Sequence, residues 1–171
     1  MVTNGEMLKV LQKTKFPKNT GRKNILKGKQ EYSRSLVVGK VKMMYGRGCA
    51  DSRHNKNFKE LHDTTRKFGK TAHPNYRFQA VTINKNHAAA KHVDKNNKGY
   101  SYIIGLGNYT GGELVFTNPK SPHYGSHNIK NKWLKFRGNT EHYVKPFKGE
   151  RYTIVYYNID NCKVTNPKYK K

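Results

Sequence analysis

The chain has 171 residues, which suits one domain with its own core and leaves little room for two. Its 35 Lys and Arg against 10 Asp and Glu give a formal net charge of +25, so it attracts polyanions. Nucleic acid is the expected partner, DNA ahead of others, and a merely solubilising lysine-rich surface is the alternative. No apolar run reaches the length of a bilayer-crossing helix, which excludes that class of membrane protein.

Residues 1–34 are basic and poor in aromatics. MLKVLQKTKF suits a short helix, but NTGRKNILKGKQ carries breakers and charge, so the segment is expected to be a partly ordered arm. SLVVGKVKMMY reads as a strand interrupted at Gly39, and RGCADSRHNK as a loop. NFKELHDTTRKFGK sets Phe58, Leu61, His62 and Phe68 near helical spacing, with Gly69 expected at the C-cap.

From Tyr76 the pattern changes. YRFQAVTINK alternates loosely, while HAAAKHVD suits strand or turn. GYSYIIGLG, GELVFT, KWLKF, EHYVKPF and ERYTIVYYNI are short, β-rich and bounded by Gly, Asn or Pro. Short strands punctuated this way predict an antiparallel sandwich, barrel or jelly roll. The fold class is therefore α+β, mainly β: a basic arm over 1–34, one domain over 35–160, and a frayed basic tail over 161–171. Cys49 and Cys162 lie far apart and form no CxxC. With no signal-like apolar stretch near Met1, they are expected to be free thiols in an intracellular reducing compartment, the nucleus or another DNA-containing compartment among them.

The chemistry concentrates around His92 and Asp94. Residues i and i+2 of an extended strand share a face, so this imidazole and carboxylate stand side by side if the segment is a strand. A third ligand has to come from elsewhere, and His142 in EHYVKPF is the candidate. Two histidines and a carboxylate make the facial triad of non-haem Fe(II) sites. Arg151 follows the turn PFKG; a hairpin there would bring it beside His142, where its guanidinium grips a carboxylate through two parallel hydrogen bonds. Thr153 faces the same way and adds a hydroxyl, equipment suited to the distal carboxylate of 2-oxoglutarate. Each residue alone has a plainer explanation in a strand end, a turn or a local ion pair; their order and spacing favour a metal site. His123 and His127 sit in SPHYGSHN, which cannot hold a regular helix, and His54, His62 and His73 are expected on the surface or in packing; His87, five residues before His92, is a candidate to line the pocket but a loop residue by default.

The set His92-x-Asp94, His142, Arg151-x-Thr153, with GGELVF after the HxD, resembles the Fe(II)/2-oxoglutarate-dependent dioxygenases over about half the chain. That resemblance implies a double-stranded β-helix, iron on His92, Asp94 and His142, and 2-oxoglutarate held by Arg151 and Thr153. It also implies dioxygen as oxidant and hydroxylation of a substrate C–H. TINKNHAAAKHVDKNNKGYSYIIGLGNYTGGELVF looks most like the TET/JBP-like oxygenases of 5-methylcytosine or thymine, with Asn84, Asn86 and Tyr102 as substrate-contact candidates. The short step from His142 to Arg151 is closer to the prolyl-hydroxylase-like branch, so a protein prolyl or lysyl hydroxylase is the second reading. A catalytically silent, basic DNA-binding jelly roll is the third.

Overall fold

The computed structural model describes residues 1–163, so the expected tail lies outside the described residues from residue 164 onward. In chain order the elements are helix α1 (Asn4–Lys13), strand β1 (Lys18–Asn19), a 3-10 turn (Lys23–Ile25), β2 (Ser33–Lys42), β3 (Cys49–Asp51), α2 (His54–Asn57) and α3 (Lys59–Ala72). Then follow β4 (Ala80–Lys85), β5 (Asn97–Leu106), β6 (Tyr109–Gly111), β7 (Leu114–Phe116), β8 (Gly125–His127), β9 (Leu134–Phe136), β10 (His142–Val144), β11 (Phe147–Gly149) and β12 (Tyr152–Ile159). All strand pairings are antiparallel. The major sheet runs β1-β2-β4-β12-β5-β9, with β3 paired to the end of β2; β10-β7-β8 make a minor sheet and β11-β6 a ribbon.

Strand alternation sorts the major sheet into two faces. Leu36, Val81, Ile83, Ile104, Tyr152 and Ile154 face one way and pack with Met7 and Leu11 of α1 and Leu61 and Phe68 of α3. Each such side chain contributes roughly 1.5–3 kcal/mol by leaving water. On the opposite face, Ile103 packs with Leu114, Phe116 and Val144 of the minor sheet and with Phe136 of β9. Between these sheets the polar positions of the same strands, Thr82, Asn84, Thr153 and Tyr157, line a cavity.

Three expectations change here. Residues 1–34 are not merely an arm: α1 begins with a capping box between Thr3 and Glu6, and Met7 and Leu11 are fully buried. Local charge and breakers concealed this, because what orders the segment is an apolar stripe meeting a distant sheet. Gly69 does not end α3, which runs on to Ala72; instead it lies under Tyr156, where a Cβ would come within 2.3 Å of the ring. Gly69→Ala is therefore expected to destabilise the protein by about 1–3 kcal/mol although alanine is the better helix former, read as a lower melting midpoint. Finally, Cys49 and Cys162 are not free thiols but a disulfide, with Cα atoms 4.8 Å apart. The β2–β3 pairing carries Cys49 to the end of β12, where its N–H donates to the Cys162 carbonyl at 2.9 Å. The basis for expecting a reducing compartment falls with it; no helix among the described residues is long and apolar enough to cross a membrane.

Candidate metal centre

His92 lies outside any regular strand, so the expected i, i+2 strand geometry is not what aligns it with Asp94. A single antiparallel bridge does most of the work. His92 and His142 exchange backbone N–H···O bonds, both 3.0 Å, which sets their rings side by side with centroids 4.4 Å apart. The Asp94 N–H donates to the Gly138 carbonyl at 2.8 Å and so turns the carboxylate back toward both rings. His92 Nε2 lies 3.4 Å from Asp94 Oδ1 and His142 Nε2 lies 3.6 Å from Oδ2; one ligand atom from each residue falls within 4.8 Å of the others.

The ring orientations are decided by backbone carbonyls. His92 Nδ1 is 2.6 Å from Ala90 O, and His142 Nδ1 is 2.6 Å from Thr140 O. A carbonyl oxygen only accepts, so each Nδ1 carries the hydrogen and donates, and a ring in its neutral form then presents its Nε2 lone pair to the cluster. Burial pushes His142 below the usual histidine value, against the pull of Asp94. For Asp94 burial works upward, but the hydrogen bond and positive charge that His92 and His142 offer when protonated, together with the Arg22 guanidinium, outweigh it and hold the carboxyl below its usual range. Two imidazole lone pairs and one ionised carboxylate fit a divalent first-row metal such as Fe(II), with coordination positions to spare.

Arg151 is only 2 % exposed. Its Nη2 donates to Gly112 O at 2.8 Å and its Nη1 to His87 O at 3.3 Å, while Nε makes no hydrogen bond among the described residues. No described carboxylate forms an ion pair with it. A cation taken out of water without a counter-ion is costly, and a bound anion offsets that cost. Thr153 is buried nearby on β12, where Asn84 Nδ2 donates to its Oγ1 at 3.1 Å. The threonine hydroxyl hydrogen is left to donate into the cavity.

His92, Asp94, His142, Arg151 and Thr153 all line the same cavity of about 700 Å³. The sequence matches no protein-family model, and no curated protein is similar to it. Similarity appears in three dimensions. NgTET1 in complex with 5mC DNA superposes with a TM-score of 0.55 at 15 % identity, over 75 % of this chain. A 2OG-Fe(II) oxygenase family oxidoreductase from Burkholderia pseudomallei also scores 0.55, at 19 % identity over 94 % of this chain and 82 % of its own length. The chain shares the fold of this 2OG-Fe(II) oxygenase family oxidoreductase. A bsmA homolog from Methylobium petroleophilum PM1 is similar at a TM-score of 0.50 and 10 % identity, over 91 % of this chain and 80 % of that one. Against NgTET1 the chain spans 62 % of the partner's length, less than two thirds.

Set in this shared fold, the sequence-derived residues separate. Asn84 reaches the cavity. Asn86 supports Arg151 instead: its side chain accepts from the Arg151 N–H and its own N–H donates to the Arg151 carbonyl, both at 2.7 Å. Tyr102 points to the other side of the sheet, stacked 3.8 Å from His73, because it shares the face of Ile104 and not of Ile103. The hairpin expected to join His142 to Arg151 does not form: β10 pairs with β7, PFKG contributes to β11 against β6, and Arg151 lies at the start of β12.

Arg22 and Gly112 escape a reading of the sequence, and His87, a pocket candidate there but a loop residue by default, joins them at the site. Arg22 donates to Asp94 Oδ1 at 3.0 Å, and nothing local separates it from the other cations. His87 lines the cavity and lends its carbonyl to Arg151. Gly112 has φ +69 and a Cβ there would sit 2.6 Å from Arg151 Nε, so a glycine makes room for the guanidinium. The Gly-Gly of TGGELVF was the available signal.

Proposed function

We propose that this chain is an Fe(II)- and 2-oxoglutarate-dependent oxygenase that oxidises a C–H bond of a nucleic-acid base, of the 5-methylcytosine or thymine methyl type. One observation carries the oxygenase reading: a mostly buried His–Asp–His cluster and a buried guanidinium without an ion-pair partner among the described residues open into one cavity. In this reading the two packed sheets are a double-stranded β-helix, residues 35–160 form the oxygenase unit, and residues 1–34 add α1 and Arg22.

His92, Asp94 and His142 would hold the iron, with Nδ1 contacts to Ala90 O and Thr140 O keeping both rings aimed. Arg151 would take the distal carboxylate of 2-oxoglutarate, and Thr153 would donate a hydroxyl to it. When bound, these groups supply an oxidising centre that consumes dioxygen and converts 2-oxoglutarate to succinate. Ile103, Leu114, Val144 and Phe136 wall the cavity and limit water around the reacting atoms.

The base-oxidation reading draws on three supports. The formal charge of +25 suits phosphates, and Arg22, Lys42 and Lys95 border the cavity. A cavity of about 700 Å³ lies in the range of small-ligand sites, suited to 2-oxoglutarate and one extruded base. The NgTET1 structure that shares this fold holds 5mC DNA. Succinate release with Fe(II) and 2-oxoglutarate, measured over methylated DNA, unmodified DNA and Pro- or Lys-containing peptides, tests the proposal. Methylated DNA is expected to stimulate release, and a chelator to stop it until Fe(II) is restored. Stimulation by a peptide alone supports a protein hydroxylase, and no succinate under any condition supports a silent DNA-binding protein.

A further inference from the structure

A second concave surface, of about 1010 Å³, lies beyond the turn that follows Asp94, on the opposite face of the major sheet from the metal centre. Ile159 lines both spaces, and the Asp160 N–H donates to Asn96 O at 2.7 Å, so they meet at the end of the sheet where Ile159 pairs with Asn97. Its wall is aromatic. His73 stacks on Tyr102 at 3.8 Å, Tyr76 meets Tyr102 edge-on at 4.9 Å, and the Tyr76 hydroxyl donates to Tyr100 O at 2.7 Å. Tyr100 itself is 40 % exposed, with Lys135 Nζ 4.5 Å and the Arg137 guanidinium 4.4 Å from its ring centroid.

The charge of this surface is nearly one-signed. Of its described lining residues, Lys98, Lys135 and Lys163 are cationic and Asp160 is the one acid. The cations lead back to the metal centre: Arg137 precedes Gly138, whose carbonyl holds the Asp94 N–H, and Lys95 borders the cavity itself. Rings that offer stacking surface, set among cations at phosphate reach, are the equipment of a single-strand track. A folded acidic protein would be served by the charges alone and has no use for an exposed tyrosine between two of them.

We propose that Lys98, Tyr100, Lys135 and Arg137 hold the single-stranded nucleic acid next to the base that occupies the cavity. This rests on the base-oxidation reading, and it adds where the strand runs and that the preferred substrate is single-stranded or locally opened. The backbone passes the residues 95–96 turn and the start of β5, phosphates meet Lys98 and draw Lys135 and Arg137 off the Tyr100 ring, and a neighbouring base stacks on the face they leave.

The experiment measures binding of a fluorescent single-stranded 12-mer to the full chain by anisotropy across a salt series, without iron or 2-oxoglutarate. The triple variant Lys98→Gln, Lys135→Gln, Arg137→Gln is expected to lose about tenfold or more in affinity and to flatten the slope of log Kd against log salt by about 2. A matched triple, Lys9→Gln, Lys56→Gln, Lys67→Gln, removes equal charge from exposed helix positions and is expected to change affinity less than about threefold. Tyr100→Leu is expected to weaken binding about tenfold at unchanged salt slope, since it removes stacking and no charge. Melting midpoints of all variants confirm folding, and 2-oxoglutarate turnover without nucleic acid is expected to stay at the parent level.

Equal losses in the two triple variants, or Tyr100→Leu binding like the parent, overturns the track. An acidic peptide that displaces the 12-mer at equal concentration, or that binds in its place, also overturns it in favour of a protein partner. If the parent chain binds no oligonucleotide at all, the base-oxidation reading fails and the track with it. That outcome is distinct from a parent that binds through other residues.

Discussion

His142→Ala is expected to abolish succinate production, lowering it by more than about 100-fold, the upper end of what loss of a ligand's outer partner alone costs. Removing the imidazole donor leaves, among the described residues, His92 and Asp94 of the cluster, too few to hold the metal in one geometry. The fold should survive. The His92–His142 bridge is made by backbone groups, both 3.0 Å, and does not need the side chain. The lost ring borders an existing cavity, so no new sealed void forms. Equivalent losses are expected for His92→Ala and Asp94→Ala. Binding of Fe(II), followed by calorimetry beside the turnover assay, distinguishes a lost ligand from a lost catalytic step. Parent-level turnover in any of the three variants would falsify the ligand set.

Arg151→Met is expected to raise the 2-oxoglutarate concentration for half-maximal turnover by about 100-fold. Two charge-assisted hydrogen bonds are worth roughly 1.5–3 kcal/mol each, and a net loss near 3 kcal/mol corresponds to about that factor. Methionine keeps the apolar stem between the Tyr109 and Phe147 rings, whose centroids lie 5.4 and 5.7 Å from the guanidinium carbon. Stability should shift little. The substitution removes a buried cation with no ion-pair partner among the described residues, which is favourable, but strands the His87 and Gly112 carbonyls, which is not. Arg151→Lys should recover only part of the affinity, because an ammonium lacks the fork that matches a carboxylate. Titration of 2-oxoglutarate into the iron-loaded protein is the decisive measurement: unchanged affinity in Arg151→Met would remove this residue from the site.

The same residues show why the site was legible in part. Donor types and their order along the chain, His92, Asp94, His142 and then Arg151, are visible without coordinates because the chemistry demands those side chains. The routes that bring them together were misjudged. A regular strand was expected to align His92 with Asp94, and a hairpin to deliver Arg151. A one-residue bridge and the Asn86 clamp on the Arg151 backbone do those tasks instead. Both are contacts between segments far apart in sequence, and no local period announces them.

By itself the sequence determined the mainly β character, the helix before it, the excess of positive charge and the identity of the candidate ligands. Each follows from a local property: alternation, helical spacing, counted charge or side-chain chemistry. Only the tertiary structure decided that α1 belongs to the core, that Cys49 meets Cys162, that Tyr102 turns away from the cavity while Arg22 turns toward it, and that Gly112 makes room for Arg151. Those outcomes depend on strand order and on which face of a sheet a residue takes, and a shift of one position in register reverses the second.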